Sequence, residues 1–117
     1  MSPDYLRSVY RRMMNERGET VVHRRYTGAG PNRPKFDVEV MAVVVGYDEK
    51  DFVGSITVGD RKVILLAEDL VEAQITLPVT TNDKILVRGK ELAIIAADDS
   101  TRRVSGELIA YELQVRG

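Results

Sequence analysis

The sequence predicts a mainly β protein: a small barrel or sandwich of six to seven short strands, with one N-terminal α-helix and long loops. Three observations carry that expectation. Runs rich in Val, Ile and Tyr recur along most of the chain. Glycine-centred turn signals separate them roughly every eight to twelve residues. A single segment, at the start, has the helical apolar period instead. The 117 residues make one domain, 1–117, with a helix over 3–17 and the barrel over 20–116. A chain of this length buries roughly two-thirds of its unfolded surface.

The helix has its punctuation in place. Ser2 is a capping residue, Pro3 suits the first helical position and Gly18 is a stop. Leu6, Val9, Tyr10, Met13 and Met14 form one apolar stripe, and Arg7, Arg11 and Arg12 fall off it. The reading is a docking helix with a basic outer surface. A first strand follows over 20–26. The next alternates at Phe36, Val38 and Val40, then runs into continuous apolar residues 41–45, which signals a bulge or burial on both faces. Residues 56–58 and 62–67 flank "GDRK" as a hairpin, and 85–87 and 92–96 flank "RGKE" as another, turned at Gly89. Between them, residues 68–73 predict a helical turn ended by Pro78. In the last strand Ile109, Tyr111, Leu113 and Val115 point one way, and Glu112, Gln114 and Arg116 the other. The helix is expected against the barrel wall or plugging one end.

One connection is longer than a hairpin needs. Residues 27–36, built on Gly28, Gly30, Pro31 and Pro34, carry Arg33 and Lys35 at the tip. Long loops in compact domains are functional or disordered. Gly28, Gly30, Pro31, Asn32, Arg33 and Lys35 are the candidate contact residues for a partner or for DNA.

The net charge of −1 conceals segregation. Residues 1–35 hold eight Arg/Lys against three Asp/Glu, a balance of +5, whereas residues 36–100 hold six against thirteen, a balance of −7. Such asymmetry fits a nucleic-acid or acidic surface, or a subunit whose basic flank meets the acidic flank of an identical neighbour. Arg7, Arg11, Arg12, Arg24 and Arg25 are the candidates for that subunit interface. The chain has no cysteine, which removes thiolate chemistry and disulfides. It also lacks an apolar run of signal-peptide or membrane-spanning length, so a soluble cytoplasmic protein is the expectation.

Little in the chain supports catalysis. His23 is the only histidine, set in an alternating strand, where it is read as a surface or packing residue. Asp98 and Asp99 diverge at a strand end and read as turn residues. Asp48, Glu49 and Asp51 lack the spacing of a calcium loop. "TGAGP" precedes a strand, whereas a phosphate cradle precedes a helix. The expectation is a non-enzyme with no cofactor and no metal. Tyr26 beside Arg24 and Arg25 is the one local basic–aromatic cluster, which keeps a single-strand nucleic-acid module as an alternative.

Taken in order, "GDRKVILLAEDL", "LPVTTNDKILVRGKELAII" and "GELIAYELQVRG", with Pro78, Asp83, Ile85, Gly89 and Ile94 in a hairpin pattern and Tyr111, Leu113, Gln114, Val115 and Arg116 in a closing strand, carry a family resemblance. From Arg7 onward the chain resembles the head–tail joining proteins of tailed bacteriophages. The type is the small β-barrel head-closure or stopper protein, akin to the lambda-type head completion protein and found also in gene transfer agents and prophages. The resemblance implies a virion neck protein, assembled in the host bacterial cytoplasm, that forms a ring with copies of itself. Portal or adaptor proteins would lie above it and tail proteins below, with no membrane. A long loop, 28–35 or 47–59, would project into the lumen toward packaged double-stranded DNA. A tail terminator is the nearest relative in role, but such proteins resemble a mixed sheet flanked by helices.

Overall fold

The computed structural model describes residues 2–48 and 56–117. Glu49 and Asp51, and most of the alternative loop at 47–59, therefore lie outside the described residues. Helix α1 (Pro3–Arg17) starts where Ser2 caps it, the hydroxyl accepting from the Tyr5 N–H at 3.1 Å. It ends at Gly18, whose N–H donates to the Met14 carbonyl at 2.8 Å. A Cβ at residue 18 would stand 2.4 Å from that oxygen, so only glycine permits the close turn into the next element.

That element is β1 (Glu19–Tyr26), followed by β2 (Lys35–Gly46), β3 (Arg61–Leu66), α2 (Ala67–Glu72), β4 (Asp83–Val87), β5 (Lys90–Asp98), β6 (Arg103–Val104), β7 (Glu107–Leu108) and β8 (Ala110–Arg116). Six strands close a barrel in the order β1-β2-β3-β8-β5-β4, every pair antiparallel. Closure leaves none of these strands as a free sheet edge. β6 and β7 form a separate small ribbon.

Two apolar clusters hold this together. The barrel interior is filled by Val21, Val40, Ala42, Val63, Leu65, Ile85, Leu113 and Val115 among others. Outside the wall, Tyr10 and Met14 of α1 pack on Val43, Ile64, Leu66, Ile109 and Ala110. β3 is thus buried on both faces, which explains its unbroken apolar run. The Arg88–Gly89 turn joins β4 to β5 with φ of 50° and 83° at its centre, the left-handed pair that a two-residue hairpin requires.

Several expectations change. The 41–45 run holds no bulge, since β2 pairs with β1 and β3 in unbroken register. Its alternate residues feed the two clusters. The bulge lies in β5, between Ile94 and Ala96. Residues 56–58 form no strand. They lead into a turn in which the Asp60 N–H donates to the Thr57 carbonyl, and β3 pairs with β2 and β8 instead. α2 stops before Pro78, at Gln74 with φ of 69°, where the Ile75 N–H returns to the Leu70 carbonyl at 2.8 Å. Val9 faces solvent, and Ile109 joins the cluster under α1.

Candidate functional site

The long loop is shorter at its root than the sequence suggests. Tyr26 and Lys35 are the last β1–β2 pair, and the Thr27 N–H donates to the Pro34 carbonyl at 2.9 Å. The loop is therefore 27–34, and Lys35 and Phe36 belong to β2, so Lys35 is a root residue and not part of the tip. Gly28 and Gly30 sit at φ of 72° and 95°, a region that favours glycine. Residues 27–32 are all exposed. Arg33 turns back and lies over the Tyr26 ring, 4.0 Å from its centroid.

Beneath this loop the strands carry a fixed polar platform. Arg24 grips Asp37 through two bonds, 2.8 and 2.9 Å, and reaches Glu91 at 2.7 Å. The Tyr26 hydroxyl donates to the same Glu91 carboxylate at 2.8 Å. Both acids are held below the ordinary carboxylate range, Asp37 by the Arg24 guanidinium and Glu91 by Tyr26 and then Arg24. Arg25, on the opposite side of β1, turns inward. The basic–aromatic cluster is therefore Arg24, Tyr26 and Arg33, with Arg25 excluded.

Arg25 belongs to a buried network. It binds Asp83 through two bonds, 3.0 and 2.8 Å, and donates to the carbonyls of Thr76 and Pro78. His23, with no exposed surface, meets the same carboxylate, Nε2 to Oδ2 at 3.0 Å, and its Nδ1 has no partner among the described residues. Burial alone would raise the Asp83 pKa. The bonds from His23 and Arg25 outweigh it and bring it down to about 2. The Tyr111 hydroxyl accepts from the Val79 N–H at 3.3 Å. Together these contacts seat residues 74–82 across one end of the barrel, with Ile75 and Val79 filling the interior. His23 and Asp83 have the hydrogen bond of an acid–base dyad, but they are sealed from solvent at 0% and 2% exposure. Their contacts tie β1 to the start of β4.

At the opposite end, Val44, Val87, Leu92 and Val115 floor a mouth of about 190 Å³ rimmed by Arg61, Arg88 and Lys90. Nearby, Arg116 and Gln114 hold the buried Asp60 carboxylate at 2.8 to 2.9 Å. Led by the Arg116 bond, they keep its pKa well below the usual range.

Of the remaining arginines, Arg7, Arg11 and Arg102 find carboxylates within the chain, whereas Arg12, Arg17 and Arg103 have none among the described residues. Arg7 pairs with Asp4 at 3.0 Å, with Glu68 and with Glu107. Arg11 holds Asp69 at 2.7 Å and Glu68 at 2.8 Å, clamping α1 to α2. Of the five arginines proposed for a subunit interface, Arg12 alone is exposed and without a carboxylate partner among the described residues. Much of the +5 and −7 segregation is cancelled inside one subunit.

Asp98 behaves as a turn residue, accepting from the Ser100 and Thr101 N–H groups at 2.8 and 3.1 Å. Among the described residues, no three His, Cys, Asp or Glu side chains are placed to hold a metal, and no helix is long and apolar enough to cross a membrane. Sequence reasoning missed the Asp83 network and the Asp60 cluster. The parity of β1 was the available signal, since Val21, His23 and Arg25 share one side. No family model matches the chain, and no curated protein does either.

Proposed function

We propose that this chain is a structural subunit of the head–tail connector of a tailed bacteriophage or related particle. It forms a ring that closes the DNA-filled head and offers the tail its attachment surface. The observation that carries the reading is the exposed 27–34 loop on its ion-paired root, mounted on a closed barrel. The resemblance from Arg7 onward supplies the class. A closed barrel presents rigid walls for contact with copies and neighbours. A loop with two glycines and two prolines bends at defined points and samples few other conformations. A chain of net charge −1, in which Arg7, Arg11, Arg24 and Arg25 are held by its own carboxylates, binds duplex DNA weakly, while Arg33 in the loop and Lys35 at its root touch phosphate locally. The chain acts by assembly and occlusion, as a virion neck protein, without making or breaking a bond.

The test is genetic. Particles made without this protein are expected to package DNA, leak it and lack tails. Sealed, tailed heads would end the proposal.

A second reading, a single-strand nucleic-acid module, draws on the Arg33–Tyr26 stack and the adjacent Arg24. A salt-dependent mobility shift with oligonucleotides at low micromolar protein favours it. No shift favours the connector. The tail-terminator alternative calls for a mixed sheet, whereas all six barrel pairings are antiparallel.

A further inference from the structure

The two ends of the barrel carry the same chemistry and are finished differently. At one end Arg25 lies on the interior side of β1, in line with Val21 and His23. Residues 74–82 and the start of β4 complete that end. Ile75 and Val79 fill the interior, and the Asp83 carboxylate takes the Arg25 guanidinium at 2.8 Å. An inward cation is met there by apolar side chains and a carboxylate together.

The other end has the cations and the apolar floor. Arg61 stands two residues before Val63 on β3, and Lys90 two before Leu92 on β5, so both occupy interior-side positions at the rim. Below them Val44, Val87, Leu92 and Val115 surround the mouth of about 190 Å³. Arg61 is held in place, its Nη1 donating to the Gly59 and Asp60 carbonyls at 3.0 and 3.2 Å. Its Nε and Nη2 have no partner among the described residues, and Lys90 has no ion-pair partner there. The nearby Asp60 carboxylate does not offset these charges, because Arg116 and Gln114 already hold it. Arg88, the third cation of the rim, is engaged by Glu19 at 2.7 and 2.8 Å.

We infer that this mouth binds a compact apolar group carrying one carboxylate, the two features that Ile75, Val79 and Asp83 bring to the plugged end. The apolar part sits on Val87, Leu92 and Val115, and the carboxylate lies between the Arg61 guanidinium and the Lys90 ammonium. An aliphatic cavity of about 150 Å³ holds one benzene ring, so the mouth takes an apolar group the size of a leucine side chain. Cations of one sign above a low-dielectric floor focus their field on the opening, and their hydrogen bonds to a carboxylate are stronger than those to a neutral group. A free short-chain acid and the C-terminal apolar residue of a peptide share this chemistry.

Arg61 and Lys90 are both exposed, so their substitution leaves the core untouched, and thermal denaturation checks that each variant is folded. Titrated into the full chain, 4-methylpentanoate should shift the amide NMR signals of Val87, Leu92 and Val115. Its neutral amide should bind about tenfold more weakly, and the folded Arg61→Gln/Lys90→Gln double variant should lose about tenfold in affinity for the acid alone. The peptide Gly-Gly-Leu, with a free or an amidated C-terminus, separates the two sources. Tighter binding of its free acid than of 4-methylpentanoate assigns the mouth to a peptide C-terminus, and weaker binding assigns it to a small acid. Equal binding of acid and amide overturns the site. So do shifts confined to another surface, an absence of shifts, or a folded double variant that binds the acid undiminished.

Discussion

Residues 27–34 and 74–82 share turn-forming residues and are opposite in fate. Both link strands or a helix to a strand, and both contain proline, threonine and asparagine. The first stands in solvent, with residues 27–32 exposed. The second is drawn into the barrel end, with Ile75 at 3% and Val79 at 5% exposure. The difference lies in the side chains between the turn residues. Ile75, Leu77 and Val79 alternate and reach the core, whereas the exposed loop offers only Ala29. Backbone drawn inward must find partners for its polar groups, and Arg25, Asp83 and Tyr111 provide them. A segment's turn residues thus say that the chain bends, and its apolar residues say whether the bend stays in water.

If that contrast is right, the plug should be costly to disturb and the loop cheap. Asp83→Ala leaves the Arg25 charge and the His23 ring without their shared partner, and should cost about 3–5 kcal/mol in chemical denaturation. A loss near zero would mean the network does not hold the plug. Ile75→Ala should cost about 2–4 kcal/mol, since the site cannot collapse inside a closed wall. Acid should act on the same region. Asp83 has an ordinary value of 3.8, lowered to about 2 in the fold. A lowered carboxylate contributes stability that is present above its unfolded value and lost as pH falls toward its folded one. The contribution, about 2 kcal/mol, should therefore disappear between about pH 4 and pH 2, read as the denaturation midpoint against pH. Asp60 and Asp98 are shifted the same way and steepen the loss. Replacing residues 27–34 by Asn-Gly should change stability by no more than about 1 kcal/mol, while under the proposed connector role heads carrying that variant should leak DNA. Smallest of all, Arg33→Ala should cost less than about 1 kcal/mol, the worth of an exposed cation–aromatic contact.

The same contrast shows how the candidate site was legible. Gly28, Gly30 and the prolines mark the 27–34 loop in the sequence, because left-handed backbone positions favour glycine. Its root could not be placed, since whether Lys35 ends a loop or begins a strand depends on Tyr26 standing opposite it. The five arginines expected at a subunit interface show the same boundary. Their charge is plain in the sequence, but Arg25 and Asp83 lie 58 residues apart and Arg11 and Asp69 also 58. Only folding reveals that these charges are already satisfied within one chain, which leaves Arg12.

The amino-acid sequence by itself determined the β-rich class, the capped helix 3–17, the Arg88–Gly89 hairpin and the parity of β8, because each depends on residues within a few positions of one another. Tertiary structure alone decided that β3 joins β2 and β8 and that residues 74–82 close the barrel. It also decided that α1 packs over the outer faces of β2, β3 and β8. Period-two alternation fixes which side of a strand is apolar, but partner choice is a competition among distant segments, settled by which arrangement buries those sides together with every backbone polar group satisfied.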